Sequence, residues 1–177
     1  MSTWMADRPA IPAIYGIPKT RTDLLSWSFV TERMEAAQHY WISTVSTNAR
    51  PHAVPVDGIW LDDRLFFGGS PESRWIRDLR SNQASTAHLE SATEVLILEG
   101  TVTAFDRTWR ELAERLAAAS KEKYGYGSTA EGILSASPGP TIMLRPTTVI
   151  GWKQFPIDAT RWRLDVEHSG ADVATDT

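Results

Sequence analysis

Three runs of aromatic and β-branched residues, at 40–45, 52–60 and 64–68, follow one another across gaps no longer than a turn. Runs of this composition read as strands, and the gaps decide how they can pair. Parallel neighbours need a crossover of about a dozen residues or more. Neither Thr47-Asn48-Ala49-Arg50-Pro51 nor Leu61-Asp62-Asp63 can supply one. The spacing therefore predicts an antiparallel meander. Further strands are expected at 84–89, 94–105, 141–152 and 160–166, with helices at 29–38, 70–80 and 107–124. Strand and helix do not alternate regularly. The pattern favours a mainly β fold, an antiparallel β-barrel of six to eight strands with peripheral helices, over a doubly wound sheet.

At 177 residues the chain has the length of one domain. We expect an extended arm over 1–20, marked by Pro9, Pro12 and Pro18, a folded unit over 21–166 and a small, polar, disordered tail over 167–177. No apolar run is long enough to span a membrane, and the first twenty residues lack the pattern of a secretory signal. The chain contains no cysteine, so disulfides and thiolate chemistry are absent, and a cytoplasmic setting is expected. A net charge of −4 argues against a general nucleic-acid binder. Eight tryptophans are many for this length. Trp41, Trp60 and Trp152 fall on predicted strands and carry more aromatic surface than a small core readily hides, which predicts a homodimer.

Local signals place the helix ends. Ser28 suits the N-cap of 29–38, and Asp106 that of 107–124, whose apolar face reads Trp109, Leu112, Ala113, Leu116 and Ala119. Gly68-Gly69-Ser70-Pro71-Glu72-Ser73-Arg74-Trp75-Ile76-Arg77 is the most informative stretch. Ser70 suits an N-cap and Pro71 a first helical position. Free N–H groups at a helix start, two serine hydroxyls and Arg74 and Arg77 on neighbouring positions are the makings of a phosphate site. A well-capped helix carrying solvent-exposed arginines accounts for the same residues. In the last strand, alternation sets Arg161 and Arg163 on one face and Trp162 on the other.

Other chemistries find no support. His39, His52, His88 and His168 never fall at metal-ligand spacing, so no metal site is expected. No Gly-x-Ser-x-Gly elbow, P-loop or strand-linked Gly-x-Gly-x-x-Gly is present. Asp62-Asp63 reads as a turn, and no side chain stands out as a catalytic group.

Taken together, the segments resemble the pyridoxamine-phosphate-oxidase-like split-barrel superfamily of flavin and deazaflavin oxidoreductases. The resemblance rests on the order of Tyr40-Trp41-Ile42-Ser43-Thr44, Arg50-Pro51-His52-Ala53-Val54-Pro55-Val56, Trp60-Leu61-Asp62, Leu65-Phe66-Phe67, the stretch from Ser70 to Leu79, His88-Leu89-Glu90, Glu99-Gly100-Thr101-Val102 and Ala159-Thr160-Arg161-Trp162-Arg163. It covers most of the chain, about 27–164.

The resemblance implies a homodimeric barrel with two cofactor sites at the interface. The tricyclic ring would lie along Val54, Pro55 and Val56. The phosphate would sit at Gly69, Ser70, Ser73, Arg74, Trp75 and Arg77, with Trp152, Lys153, Arg161 and Trp162 supplied by the partner chain. The chemistry implied is hydride transfer to a small organic substrate, done by the cofactor, with the protein orienting and shielding it. Coenzyme F-420 is favoured over FMN. Two departures bear on this. The family stretch commonly reads Ser-Arg-Lys-x-x-Asn-Leu, whereas here Trp75 replaces the lysine and Asp78 the asparagine. Strand 52–57 lacks the Arg and Lys of pyridoxamine-phosphate oxidase, which argues against vitamin B6 oxidation. The alternative readings are a split-barrel protein that binds a cofactor without turnover, and a haem binder using His52 or His88 as axial ligand.

Overall fold

The computed structural model describes residues 3–17, 23–105, 108–136 and 139–164. The strand-like runs form one antiparallel sheet of β1 (Trp4–Asp7), β2 (Tyr40–Val45), β3 (Pro51–Val56), β4 (Gly58–Leu61), β5 (Arg64–Gly68), β6 (Ala84–His88), β7 (Val95–Phe105), β8 (Thr141–Trp152) and β9 (Thr160–Leu164). Four helices pack around it: α1 (Trp27–Ala36), α2 (Arg74–Ser81), α3 (Arg110–Tyr124) and α4 (Ala130–Leu134). The main path of the sheet runs β1-β9-β8-β7-β6-β2-β3, and β4 and β5 branch from it through β8.

The branch point has a local cause. On one edge β8 pairs with β7 along its whole length. On its other edge, Thr141 to Leu144 pair with β5 and Thr148 to Gly151 pair with β9. Between them stands Pro146, which has no N–H to give a ladder. The β7 register shifts at the same level, between Glu99 and Gly100. A bulge of this kind bends and twists the strand that carries it. Gly100 is required there: a Cβ would lie 2.2 Å from the Arg145 carbonyl oxygen. The open, split sheet thus follows from one proline and one glycine facing each other on adjacent strands.

Several expected boundaries shift. The run 52–60 is two strands. Asp57 breaks it, β3 pairs with β2 and β4 with β5, so two hairpins replace the three-stranded meander. The break falls before Gly58, where a Cβ would press on Leu65, Tyr40 and the Phe66 carbonyl at 3.0–3.1 Å. Helix α1 begins two residues early with Ser26, not Ser28, at its N-cap. Helix α2 begins at Arg74 with Ser73 as N-cap. Ser70-Pro71-Glu72-Ser73 is instead a turn, closed by the Ser73 N–H on the Ser70 carbonyl at 2.9 Å. Trp109 is the N-cap residue of α3 and is exposed, so the buried stripe is Leu112, Ala113 and Leu116. The expected Asp106 cap lies outside the described residues, as does the tail beyond 164. Helix α4 has no counterpart in the sequence reading.

The N-terminal arm contributes a strand, β1, on the outer edge of β9. Asp7 accepts from Arg161 Nε and Nη2 at 2.9 and 2.7 Å and from Arg163 Nη2 at 2.9 Å, so both arginines do share a face. Trp162 points the other way and is 1% exposed. There it meets Trp27 edge-on and stacks on Phe29, while Trp27 stacks on Trp4 with ring centroids 4.3 Å apart. Both outer indoles end on one carboxylate: Trp4 Nε1 and Trp27 Nε1 donate to Asp63 at 3.2 and 3.0 Å. Asp62 and Asp63 both have positive φ, 52° and 58°, as a two-residue hairpin turn with the twist of its strands requires. The neighbouring Asp62 receives Arg115 of α3 at 2.8 and 2.9 Å.

Helix α3 is also fastened at its other end. Lys123 Nζ donates to Tyr40 Oη at 2.8 Å and to the Gly58 carbonyl at 3.1 Å. Tyr124 Oη accepts the Gly58 N–H at 2.9 Å and donates to the Gln38 carbonyl at 2.8 Å. Burial disfavours the ammonium and lowers the Lys123 pKa from 10.5 to about 8, against a smaller opposing pull from Asp57. Burial also pushes the Tyr40 and Tyr124 phenols up.

Two outcomes follow from these fastenings. Asp7→Asn should cost about 1–2 kcal/mol, since its charge-assisted bonds are partly solvent-screened. Amide exchange should then accelerate at β1 and β9 before the rest of the sheet. For Lys123 the unfolded chain holds a proton that the folded chain has lost between about pH 8 and 10.5, so stability rises with pH across that window. Thermal melts from pH 8 to 10 should show the parent gaining on Lys123→Met. Parallel profiles would mean that the ammonium is solvated in the folded state.

Candidate functional site

The start of α2 is placed by packing beneath it. Trp75 and Ile76 are buried, and Trp75 meets Phe67 with ring centroids 5.8 Å apart. A Cβ on Gly69 would strike the Trp75 ring at 2.6 Å, so the glycine lets the backbone close over the indole. Position 75, where the related motif carries lysine, belongs here to the core. Arg74 and Arg77 are exposed.

Ser73 occupies the N-cap position without capping: its hydroxyl donates to the Ser70 carbonyl at 2.7 Å. The first-turn amides of α2 therefore have no side-chain acceptor. Arg77 Nη1 reaches back to the Glu72 carbonyl, which puts its guanidinium beside the helix start. Arg74 Nε lies 3.6 Å from Asp78 Oδ2. Asp78 is buried and also accepts from Thr44 Oγ1 of β2 at 3.2 Å. The acidic residue that departs from the motif thus locks α2 onto the sheet and ties up part of the Arg74 charge.

Thr44 pairs with His52 of β3, so α2 and the strand of Val54, Pro55 and Val56 are brought to one region. Pro55 is exposed, Val54 half-buried and Val56 buried. The C-terminal candidates lie elsewhere. Trp152 ends β8, eleven residues from Thr141, which faces Gly68. At about 3.3 Å per residue this is up to roughly 35 Å along the strand. Trp152 is half-buried against Phe155 and Lys153 is exposed. Arg161 is occupied by Asp7, and Trp162 is enclosed by its own chain.

The outer face of the sheet carries a row in register: Pro55, Trp41, His88, Ile97 and Ile150. The Trp41 indole stacks on the His88 imidazole at 6.3 Å and is 37% exposed. His88 Nδ1 lies 2.9 Å from the Leu89 carbonyl. A carbonyl can only accept, so Nδ1 carries a proton, and in the neutral ring Nε2 is then the nitrogen with the lone pair. No group of three or more possible metal ligands occurs among the described residues, and none of their helices is long and apolar enough to cross a membrane.

A second constellation escaped the sequence reading. A cavity of about 310 Å³ opens between β4–β5 and helices α3 and α4, lined among others by Asp57, Phe66, Gly69, Tyr124, Tyr126 and Ile133. In sequence, Tyr124-Gly125-Tyr126-Gly127 reads only as a helix stop. Its one further signal is the density of tyrosine and glycine, which acquires meaning once α3 is laid over β4 and β5.

No protein-family model and no curated protein sequence matches this chain. Solved structures do. A Listeria innocua protein named for pyridoxamine 5'-phosphate oxidase aligns at 14% identity with a TM-score of 0.55, over 72% of this chain and 98% of that one. An F420 reductase aligns at 17% identity and TM-score 0.52, over 70% and 95%. The heme storage protein of Vibrio cholerae aligns at 19% and 0.53, over 66% and 87%. With its open nine-stranded antiparallel sheet and peripheral helices, the chain has a split-barrel fold, which it shares with these solved structures.

Proposed function

We propose that this protein is a homodimeric oxidoreductase that binds a flavin-type nucleotide, coenzyme F-420 in preference to FMN, and passes a hydride to a small organic acceptor. One observation carries the reading: an α2 start with no side-chain cap, Arg74 at its first position and Arg77, about one turn in, folded back beside it. Amide N–H groups, the positive helix end and a guanidinium converging at the surface are what a phosphate needs. Ser70, Ser73, Arg77 and Arg74 are the phosphate residues of this proposal, and Gly69 lets the nucleotide approach the backbone. Val54, Pro55 and Val56 form the wall for the ring.

The same arrangement supports a homodimer. Trp152 and Lys153 are far along β8 from Thr141, which faces Gly68, and in this proposal a second copy brings them to the phosphate. The row of Pro55, Trp41 and Ile97 is the apolar surface such a copy would cover. Trp75, Arg161 and Trp162 serve packing in this proposal. The cofactor supplies the hydride chemistry, and the protein orients it and excludes water.

A haem-binding reading has one observation in its favour, the Nε2 lone pair of His88 beside the Trp41 ring, since a ligating imidazole has its other nitrogen bonded in this way. A Soret band lost in His88→Ala would establish it over the first reading.

Titrating FMN and F-420 into the protein tests the phosphate site. Arg77→Ala should weaken binding of the preferred nucleotide roughly ten- to a hundredfold, as loss of a charge-assisted contact implies. Arg74→Ala should cost less, because Asp78 already holds part of its charge. If both variants bind as the parent does, the phosphate is not at α2. For assembly, light scattering at micromolar concentration should give twice the chain mass, and Trp41→Glu should return a monomer. A monomeric parent would remove the shared site.

A further inference from the structure

The cavity between the β4–β5 hairpin and α3–α4 is built separately from the main core. Ile59 and Phe66 form its sheet side, and with Leu112 and Leu116 of α3 they make a small second apolar cluster. Ile133 of α4 packs against the same cluster. Protein interiors leave few voids larger than a water, and a water occupies about 30 Å³ of liquid. An opening of about 310 Å³ is no packing defect. It sits at the lower end of the range of small-molecule sites, about 300–1,000 Å³.

Its walls are held by backbone. Six of the chain's 11 glycines line it. A Cβ on Gly139 would fall 2.1 Å from the Gly69 carbonyl oxygen, and one on Gly127 would fall 2.1 Å from Ser120 Oγ. At these two positions the wall packs too closely to admit any side chain.

The polar side chains of the lining are the Asp57 carboxylate and the hydroxyls of Tyr124, Tyr126, Ser120, Ser128 and Thr141. Among the described lining residues Asp57 alone is charged. Its carboxylate accepts from Tyr126 Oη at 2.7 Å and lies 3.4 Å from His39 Nε2. A carboxylate offers about four acceptor positions, so capacity remains. The Tyr124 and Tyr126 rings stand beside it with centroids 5.6 Å apart. Lys123 is the nearest cation, but its Nζ is committed to Tyr40 and Gly58 and it does not line the cavity. One carboxylate and two tyrosine rings over apolar walls make an acceptor for a cation or N–H donor on a flat apolar body. No cation stands among the described lining residues to pair with a carboxylate or phosphate.

We propose that this cavity binds a small aromatic amine, its ring between Phe66, Ile133 and Tyr124 and its ammonium on Asp57. The cavity shares Gly69 with the proposed nucleotide site at α2, so it is tested on cofactor-free, full-length protein. Isothermal titration compares 2-phenylethylamine, 2-phenylethanol and phenylacetate, three probes of similar size that differ in charge. The amine should bind tightest, by roughly tenfold or more over phenylacetate, a difference one charge-assisted contact can supply. Asp57→Asn should abolish that preference, and Ile133→Trp should abolish binding of all three. Should Ile133→Trp fail to fold, amide shifts of the parent on adding amine decide the location, and they should centre on Asp57, Tyr124 and Ile133. Phenylacetate binding as well as the amine, an unchanged preference in Asp57→Asn, no binding of any probe, or shifts elsewhere would each overturn the proposal. None of these results bears on nucleotide binding at α2, so the two readings fail separately.

Discussion

The pairing of β7 with β8 is the constraint on which the rest of the sheet depends. A strand as long as β8 serves three neighbours only if its free edge can be divided. Pro146 divides it by withholding a donor, and Gly100 lets the opposing strand close against the Arg145 carbonyl where the register slips. From that point β5 leads to β4 and α2, and β9 leads to β1. A side chain at position 100 would push the two longest strands apart and with them both branches.

The charged residues serve mainly to fasten elements to this frame. A guanidinium matches an oxyanion bidentately, which suits arginine to phosphate. Carboxylates have the same geometry, and the fold uses it: Arg161 and Arg163 on Asp7, Arg115 on Asp62, Arg33 on Glu94. The Asp62–Asp63 turn joins three elements, since one carboxylate holds α3 and the other receives indoles from β1 and α1. What remains for a ligand is the small set that these pairings do not absorb, chiefly Arg77 at the start of α2.

The two candidate sites differ in how far they could be read in advance. The α2 site is local, a run of glycine, serine and arginine within ten residues, and the stretch was legible even though its helix begins one turn later than Ser70-Pro71 signals. That turn matters chemically, because it makes Ser73 the residue at the helix mouth and turns its hydroxyl onto Ser70. The α3–α4 cavity draws on Asp57, Phe66, Tyr124 and Ile133, which come from separate elements far apart in the chain. None carries a motif, and only the packing of α3 over β4 and β5 gives them a common purpose.

By itself the sequence determined the class of fold: turn-length gaps permit only antiparallel pairing, and alternation set Trp162 on the face opposite Arg161 and Arg163. It also marked the glycine- and serine-rich entry to α2, because turn and helix-start chemistry is read from neighbours in the chain. The tertiary structure alone decided that the run 52–60 breaks at Asp57, that the N-terminal arm becomes a strand against β9, and that Trp75 is a core residue where the related motif carries a cation. Each of these depends on what another part of the chain places opposite. Gly58 must lie against Tyr40, Asp7 must meet Arg161, and Trp75 must fit beneath Gly69. Steric room and charge partners of that kind come from residues distant in sequence, and they exist only once the sheet has formed.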